Sequence, residues 1–511
     1  MPSLARFFDK AALAASQAIR DFDRASFEAT LLASPVSLII GDAAGRSREG
    51  QACAGLAVRL LARLYPVVTV EAEDSLRDHL HQTARSIHPG ITLDSAEPPV
   101  ATIVVGAPDS EALPGEAVFV GSNGWTASIS TTSPRSVGET ANPFGAGAAA
   151  CFAAAAVFRS VFSDVLPDLP PIQDLTVSIL RPWAEDPEAD ATGVPDADLE
   201  ETHIVGLGAI GNAVVWALSW CDGLAGRLHL VDGEAVDLSN LQRYVLTSDA
   251  DATDKTAKTA LAERHLADSG LDAVPHDQHW DRYLNDVPDR TLMRVAVGVD
   301  SPEARVAVQA SLPRIVLNAW TQSGDLGVSR HPDFLDAPCL ACLYLPDGER
   351  PSYSHRVATE IGLPDQEPRI RGYIDRRKPV DPDLLSDIAT ANDIPTDELA
   401  RYQGQPIDAF YAAFVCGGHR LRVGGAGPTR EIDAPLAFQS ALAGVLLAAE
   451  IVADAGGLRS ADTPTLTRAD VLSTPGVFES DTEPKGLQGR CICRDDDFRA
   501  RYAEKYEVQL R

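Results

Sequence analysis

Residues 203–218 read HIVGLGAIGNAVVWAL, and their order decides the fold of the second half of the chain. A short β-rich run comes first, then Gly206, Gly208 and Gly211 as G-x-G-x-x-G, then an apolar helix. The first glycine permits a tight turn, the second lets the backbone approach phosphate, and the third lets helix and strand pack closely. A helix starting there offers free N–H groups and a positive dipole end to an anion. The next apolar run, RLHLV at 227–231, is followed by Asp232, 21 residues beyond Gly211, where a ribose hydroxyl needs a carboxylate.

Further β-rich runs follow at 294–299 (RVAVGV) and 314–318 (RIVLN), and an apolar helix at 435–453 closes this half. The first half repeats the alternation. Strand candidates lie at 37–41 (SLIIG), 67–71 (VVTVE), 101–106 (ATIVVG), 117–121 (AVFVG) and 125–131 (WTASIST). Helical spacing marks 51–64, and an Ala-rich helix is expected over 146–162. Such alternation predicts βαβ units and mostly parallel sheets. Residues 184–197 (AEDPEADATGVPDA) are rich in acids, Pro and Gly and read as a linker. Residues 345–405 are polar and Pro-rich with few periodic signals, which suggests a functional excursion.

A glycine turn with a following acid suits either a dinucleotide-dependent oxidoreductase or a nucleotide-binding adenylyltransferase. Residues 232–243, DGEAVDLSNLQR, turn the reading to the second. They resemble the D-x-D-x-V-x-x-S-N-L-x-R-Q run of the ThiF/MoeB/ubiquitin-activating family, with Glu234 for the second Asp and Tyr244 where Gln is frequent. The family's lysine matches Lys258 in DKTAKTA, with Lys255 as a nearby competitor, and its metal-binding Asp matches Asp300 in VAVGVDSPEAR, where Arg305 also fits. The resemblance covers roughly 200–345 and the last helix. It implies an ATP-dependent adenylating enzyme, in which a carboxylate attacks the α-phosphate and pyrophosphate leaves. Gly206, Gly208, Gly211, Asp232, Glu234 and Asn240 would bind the nucleotide. Arg243 and Lys258 would neutralise the β,γ-phosphates, and Asp300 would hold Mg²⁺.

The fold expected is therefore α/β with two Rossmann-like adenylation-type domains. Residues 1–183 form an inactive copy, since GDAAGRS (41–47) lacks the glycine motif and no S-N-L-x-R run follows. Residues 184–199 link it to an active domain at 200–511, which includes a crossover and catalytic-cysteine region at 345–430. In simple homodimers of the family an N-terminal Arg reaches the partner's ATP site, and Arg20 or Arg24 would be the counterpart.

Cys339 and Cys342 form C-L-A-C, and Cys491 and Cys493 form C-I-C. The family often binds structural zinc with two C-x-x-C pairs, so these four are candidate Zn²⁺ ligands despite the shorter second spacing. Cys416 lies in AAFVCGGHR, where glycines leave the backbone open and His419 and Arg420 would lower a thiol pKa. Ubiquitin-activating enzymes carry a thioester-forming cysteine in this part of the chain, and the segment resembles enzymes of bacterial ubiquitin-like conjugation operons. Cys416 is thus a candidate catalytic thiol, with a buried structural thiol as the competing reading. Cys53, Cys151 and Cys221 lie in apolar helical contexts and read as core.

A formal net charge of −29 argues against nucleic-acid and anionic-membrane binding. The apolar runs fall short of the roughly 20 residues a membrane span needs, and the N-terminus reads as an amphipathic helix, so a cytoplasmic location is expected. The partners expected are a ubiquitin-like protein ending in Gly, a conjugating enzyme and a second copy of the chain, in a pathway that the resemblance connects with antiphage defence. Three alternatives stay open: a sulfur-carrier adenylyltransferase without a thioester step, an NAD-dependent oxidoreductase, and a scaffold that only binds nucleotide.

Overall fold

The computed structural model describes residues 3–108, 113–322, 324–345, 352–392, 394–416, 435–486 and 491–509. Two sheets carry the chain. The first holds β1 (Val36–Ile40), β2 (Val67–Glu71), β3 (Thr92–Leu93), β4 (Ala101–Val105), β5 (Glu116–Asn123), β6 (Thr126–Ser130) and β7 (Leu175–Ser178). The second holds β8 (Ala197–Val205), β9 (Leu224–Val231), β10 (Asp272–His276), β11 (Arg294–Val297), β12 (Ile315–Gln322), β13 (Asp325–His331), β14 (Leu466–Ala469) and β15 (Glu479–Asp481).

The strand orders are β3-β2-β1-β4-β5-β6-β7 and β10-β9-β8-β11-β12-β13-β14-β15. Counted from each sheet's own first strand, both run 3-2-1-4-5-6-7, and only the second adds an eighth strand. In each, the first five strands pair in parallel and the later ones are antiparallel. The sequence expectation of two Rossmann-like α/β units therefore holds, and the internal repeat lies in topology. The parallel strands are buried runs such as VSLII and RVAV, as expected where helices cover both faces.

Each sheet places one long apolar helix between its sixth and seventh strands: Pro143–Val161 in the first, Ala437–Ala455 in the second. Each has 19 residues and is, contrary to the sequence expectation, long and apolar enough to cross a membrane, because the helices extend past the uninterrupted apolar runs; most of each is buried in the fold. They pack on one another and on Ala209–Ser219, so one apolar core runs through both halves. Gly444 allows the close approach: a Cβ there would lie 2.4 Å from the carbonyl oxygen of Ile210.

Residues 184–197 include a 3₁₀ turn, Pro187–Asp190. The buried carboxylate of Asp190 accepts from Ser178 Oγ at 2.6 Å and from Arg181. Just before them, Trp183 lies 5.3 Å and 5.7 Å from the guanidiniums of Arg330 and Arg459. Both arginines pair with Glu450 on the last long helix, which is only 2% exposed.

Residues 345–405, where few periodic signals were visible, are largely helical where described. Tyr353–Glu360, Glu367–Asp375, Pro382–Ala391 and Ile407–Tyr411 pack around Ile361, Ile370, Leu384, Phe410 and Phe414 as a separate small core. The unit ends in a π-helical turn, Ala412–Cys416.

Candidate nucleotide site

In the second sheet the strand order reverses between β8 and β11, and ligands of open α/β sheets bind outside the carboxyl ends of strands at such a point. A cleft of about 700 Å³ opens there. Gly206, Gly208, Asp232, Glu234, Arg243, Lys258 and Asp300 all line it, together with Tyr244, Trp280, Arg305 and Ser440.

The three glycines act differently. Gly206 has φ +87°, which other residues avoid, and a Cβ there would press on Val299. Gly211 lies against the turn itself, since a Cβ would sit 2.2 Å from the Gly206 carbonyl oxygen. Gly208 faces the cleft, and a Cβ there would meet only the Tyr244 hydroxyl, at 3.4 Å. It immediately precedes the helix Ala209–Ser219, whose first N–H groups have no side-chain cap.

Asp232 ties this loop to β9. One carboxylate oxygen accepts from Leu207 N at 2.8 Å and the other from Glu234 N at 2.9 Å. Burial raises its pKa, against the opposing pull of Lys258 and these amides. Lys258 starts the helix Lys258–Leu266 and is almost fully buried. Its Nζ lies 2.5 Å from Glu234, 3.8 Å from Asp232 and 5.4 Å from the Tyr244 ring centroid. Burial disfavours the ammonium, but Tyr244, Asp232 and Glu234 outweigh it and hold the amine more firmly charged than usual. Lys255, the competitor in sequence, pairs with Asp237 and is not among the cleft residues.

Arg243 follows the 3₁₀ turn Leu238–Gln242. Its Nη1 is buried and has no hydrogen-bond partner among the described residues. A buried, unpartnered guanidinium nitrogen at a cleft wall is costly unless an anion meets it. Asp300 is exposed, just beyond β11. Asn240 does not line the cleft. Its side-chain oxygen accepts from Asp237 N at 2.8 Å while Asp237 caps the turn, so it shapes the segment that carries Arg243. The sequence reading missed Trp280 and Ser440, whose buried Nε1 and Oγ lack partners among the described residues. Ser440 lies in PLAFQSALAG at 435–444, on the last long helix, while no motif pointed to Trp280.

The four paired cysteines converge from 339–342 and 491–493. Their Sγ atoms lie 3.4 Å (339–491), 3.5 Å (342–491), 3.5 Å (342–493) and 3.9 Å (339–342) apart. Four thiolates about 2.3 Å from a tetrahedral Zn²⁺ would be about 3.8 Å apart, so the donor set fits that ion. The short C-x-C spacing is accommodated because Ile492–Arg494 forms a 3₁₀ turn. Hydrogen bonding from Cys339, and secondarily from Cys491, holds the Cys493 thiol below its ordinary value, against the opposing effect of Cys342.

The side chain of Cys416, and residues 417–434 with His419 and Arg420, lie outside the described residues. Cys53, Cys151 and Cys221 are buried, and burial pushes the Cys53 thiol up to about 12.

The first half departs from this arrangement at the equivalent turn. An extra helical turn, Asp42–Arg46, stands where the second half has its glycine loop, and Ala44 Cβ comes within 2.8 Å of a Cβ built on Gly106. Of the two N-terminal arginines, Arg24 is held by Asp9 at 2.9 Å and Glu28 at 3.3 Å, and neither Arg20 nor Arg24 lines the cleft.

Comparison with known proteins gives the following. The ThiF family matches residues 196–478, more than half of the chain. A family described as Prokaryotic E2 family C matches residues 40–163, within the first half. Uncharacterized protein y4jF of Sinorhizobium fredii (strain NBRC 101917 / NGR234) is 40% identical over 99% of this chain and 97% of its own. Ubiquitin-like modifier-activating enzyme 5 of Drosophila melanogaster is 30% identical over 156 residues, 27% of this chain, which spans only 38% of that relative. Among solved structures, E. coli MccB with succinimide is 15% identical at a TM-score of 0.35, covering 57% of this chain and 66% of that one.

Proposed function

Because the chain belongs to the ThiF family of adenylating enzymes, we propose that it activates the C-terminal carboxylate of a ubiquitin-like protein with ATP. The observation that carries this reading is the unpartnered Arg243 nitrogen in the same cleft as the glycine turn and Lys258. Asp232 takes the ribose hydroxyls, and the glycine loop with the helix N-terminus faces phosphate. Arg243 and Lys258 meet the negative charge that gathers on the leaving pyrophosphate, with Lys258 exchanging Glu234 for phosphate. Asp300 offers a hard oxygen ligand, fitting Mg²⁺, which supplies charge neutralisation at the phosphates. Most of the rate gain then comes from positioning the carboxylate against the α-phosphate.

The acyl-adenylate next passes to Cys416. The thiolate attacks the activated carbonyl, AMP leaves, and a thioester remains that a conjugating enzyme's cysteine accepts. The position of Cys416, at the end of a separate helical unit, supports this step. The first half offers no competing thiol, since its two cysteines are buried. It acts as scaffold and docking surface. The four clustered cysteines hold a structural Zn²⁺, the chain works in the cytoplasm, two chains pair, and the pathway is antiphage defence.

The competing reading is a sulfur-carrier adenylyltransferase, which stops at the adenylate. The test is a non-reducing gel after mixing Mg-ATP with small β-grasp proteins ending in glycine. A thiol-sensitive adduct absent in Cys416→Ala supports the thioester step. Pyrophosphate exchange with no adduct in either protein excludes it.

A further inference from the structure

Two arginines of the first half grip the backbone that carries the phosphate-binding residues. Arg63, in the turn after the helix Arg48–Leu61, is 1% exposed. Its Nη2 donates to the Tyr244 carbonyl at 2.5 Å and to the Thr247 carbonyl at 3.0 Å, and its Nη1 donates to the Arg59 carbonyl at 2.7 Å. Arg59 donates to the Val245 carbonyl at 3.2 Å. From the other side Asn212, on the helix behind the glycine turn, accepts from Leu246 N at 2.9 Å. The segment that follows Arg243 is thus clamped between the two halves.

These guanidiniums are also uncompensated. No carboxylate pairs with Arg59 or Arg63 among the described residues, and Arg63 Nε has no partner there. A buried cation satisfied mainly by carbonyls is expensive to keep in a fold. Hydrophobic residues of similar volume would fill the space more cheaply. The cost is understandable if the pair does two things: fix Arg243 and Tyr244 in place, and leave positive potential behind the end of the cleft that receives phosphate.

We propose that Arg63, assisted by Arg59, is a positioning residue for the triphosphate, through which the site-less first half sets the nucleotide affinity of the second. The inference rests on the adenylation reading above. Arg63→Lys keeps the charge but loses the fork that spans two carbonyls. Calorimetric titration of the full chain with ATP and with adenosine separates the phosphate contribution from the rest. The expected result is ATP binding weakened about tenfold with adenosine binding unchanged. Equal weakening of both ligands, or of neither, overturns the proposal, because a general packing defect would not discriminate between them. Should Arg63→Lys fail to fold, Arg59→Gln, at a half-buried position, is read the same way with the same two outcomes. A wild type that binds no ATP overturns the adenylation reading itself. A wild type that binds ATP as tightly as its variants overturns only this inference.

Discussion

The Arg63 guanidinium donates to the main-chain carbonyl of Tyr244, 181 residues further along the chain. The residue before Tyr244 is Arg243, whose buried Nη1 has no partner among the described residues. The first half therefore grips the residue directly bonded to the one whose guanidinium lines the cleft.

Arg243→Ala and Lys258→Ala should each weaken ATP binding by one to two orders of magnitude, as expected for losing a charge-assisted contact to phosphate. Arg243→Ala should leave the melting temperature unchanged or raised, because it removes an unsatisfied buried donor. Lys258→Ala should lower it, because Glu234 and Asp232 lose their cation. Calorimetry with ATP and thermal melts check both.

The glycines should separate in their effects. Gly211→Ala forces a Cβ against the Gly206 carbonyl oxygen and should cost about 1–3 kcal/mol of stability. Gly208→Ala meets only the Tyr244 hydroxyl, so it should fold normally and lose nucleotide affinity. Denaturant unfolding alongside ATP titration distinguishes the two.

Much of this was legible in the sequence, and the reasons are local. The strands around VSLII and RVAV announce themselves as short apolar runs, and the glycine turn combines spacing with a following acid. The helical unit was not legible, because Pro364, Pro368, Pro382 and Pro395 break its amphipathic stretches into pieces too short for their period to show. Arg63 was invisible for another reason. At the end of QACAGLAVRLLARL it reads as a solvated charge, and its partners are backbone carbonyls, which leave no complementary residue type to find. That the first half differs at the equivalent turn could be suspected from the missing glycines. That a helical turn carrying Ala44 packs against Gly106 there could not.

Glu450→Ala should be among the most damaging substitutions outside the cleft. It strands Arg330 and Arg459 as buried cations beside Trp183, at a cost of about 3–5 kcal/mol. Urea unfolding with an unchanged slope and a much lower midpoint is the expected result.

Acid should weaken the fold. Burial, then His229 and His276, lower the His203 pKa to about 3, so the folded protein holds this ring neutral. Its unfolded value is about 6.5. A depressed folded pKa contributes stability that is complete above pH ~6.5 and is lost as pH falls towards 3. His203→Leu should flatten the pH dependence of the urea midpoint between pH 7 and 5.

Metal analysis of the purified chain should find one zinc per molecule, and Cys339→Ser should abolish it while Cys416→Ala does not. Equal zinc in Cys339→Ser would remove the four-cysteine site.

The most direct test of the account is ATP–pyrophosphate exchange in the presence of small β-grasp proteins, with and without their C-terminal glycine. The account predicts exchange that requires Mg²⁺ and the intact glycine terminus, and that falls at least tenfold in Arg243→Ala. Exchange indifferent to the terminus, or undiminished in Arg243→Ala, would contradict it.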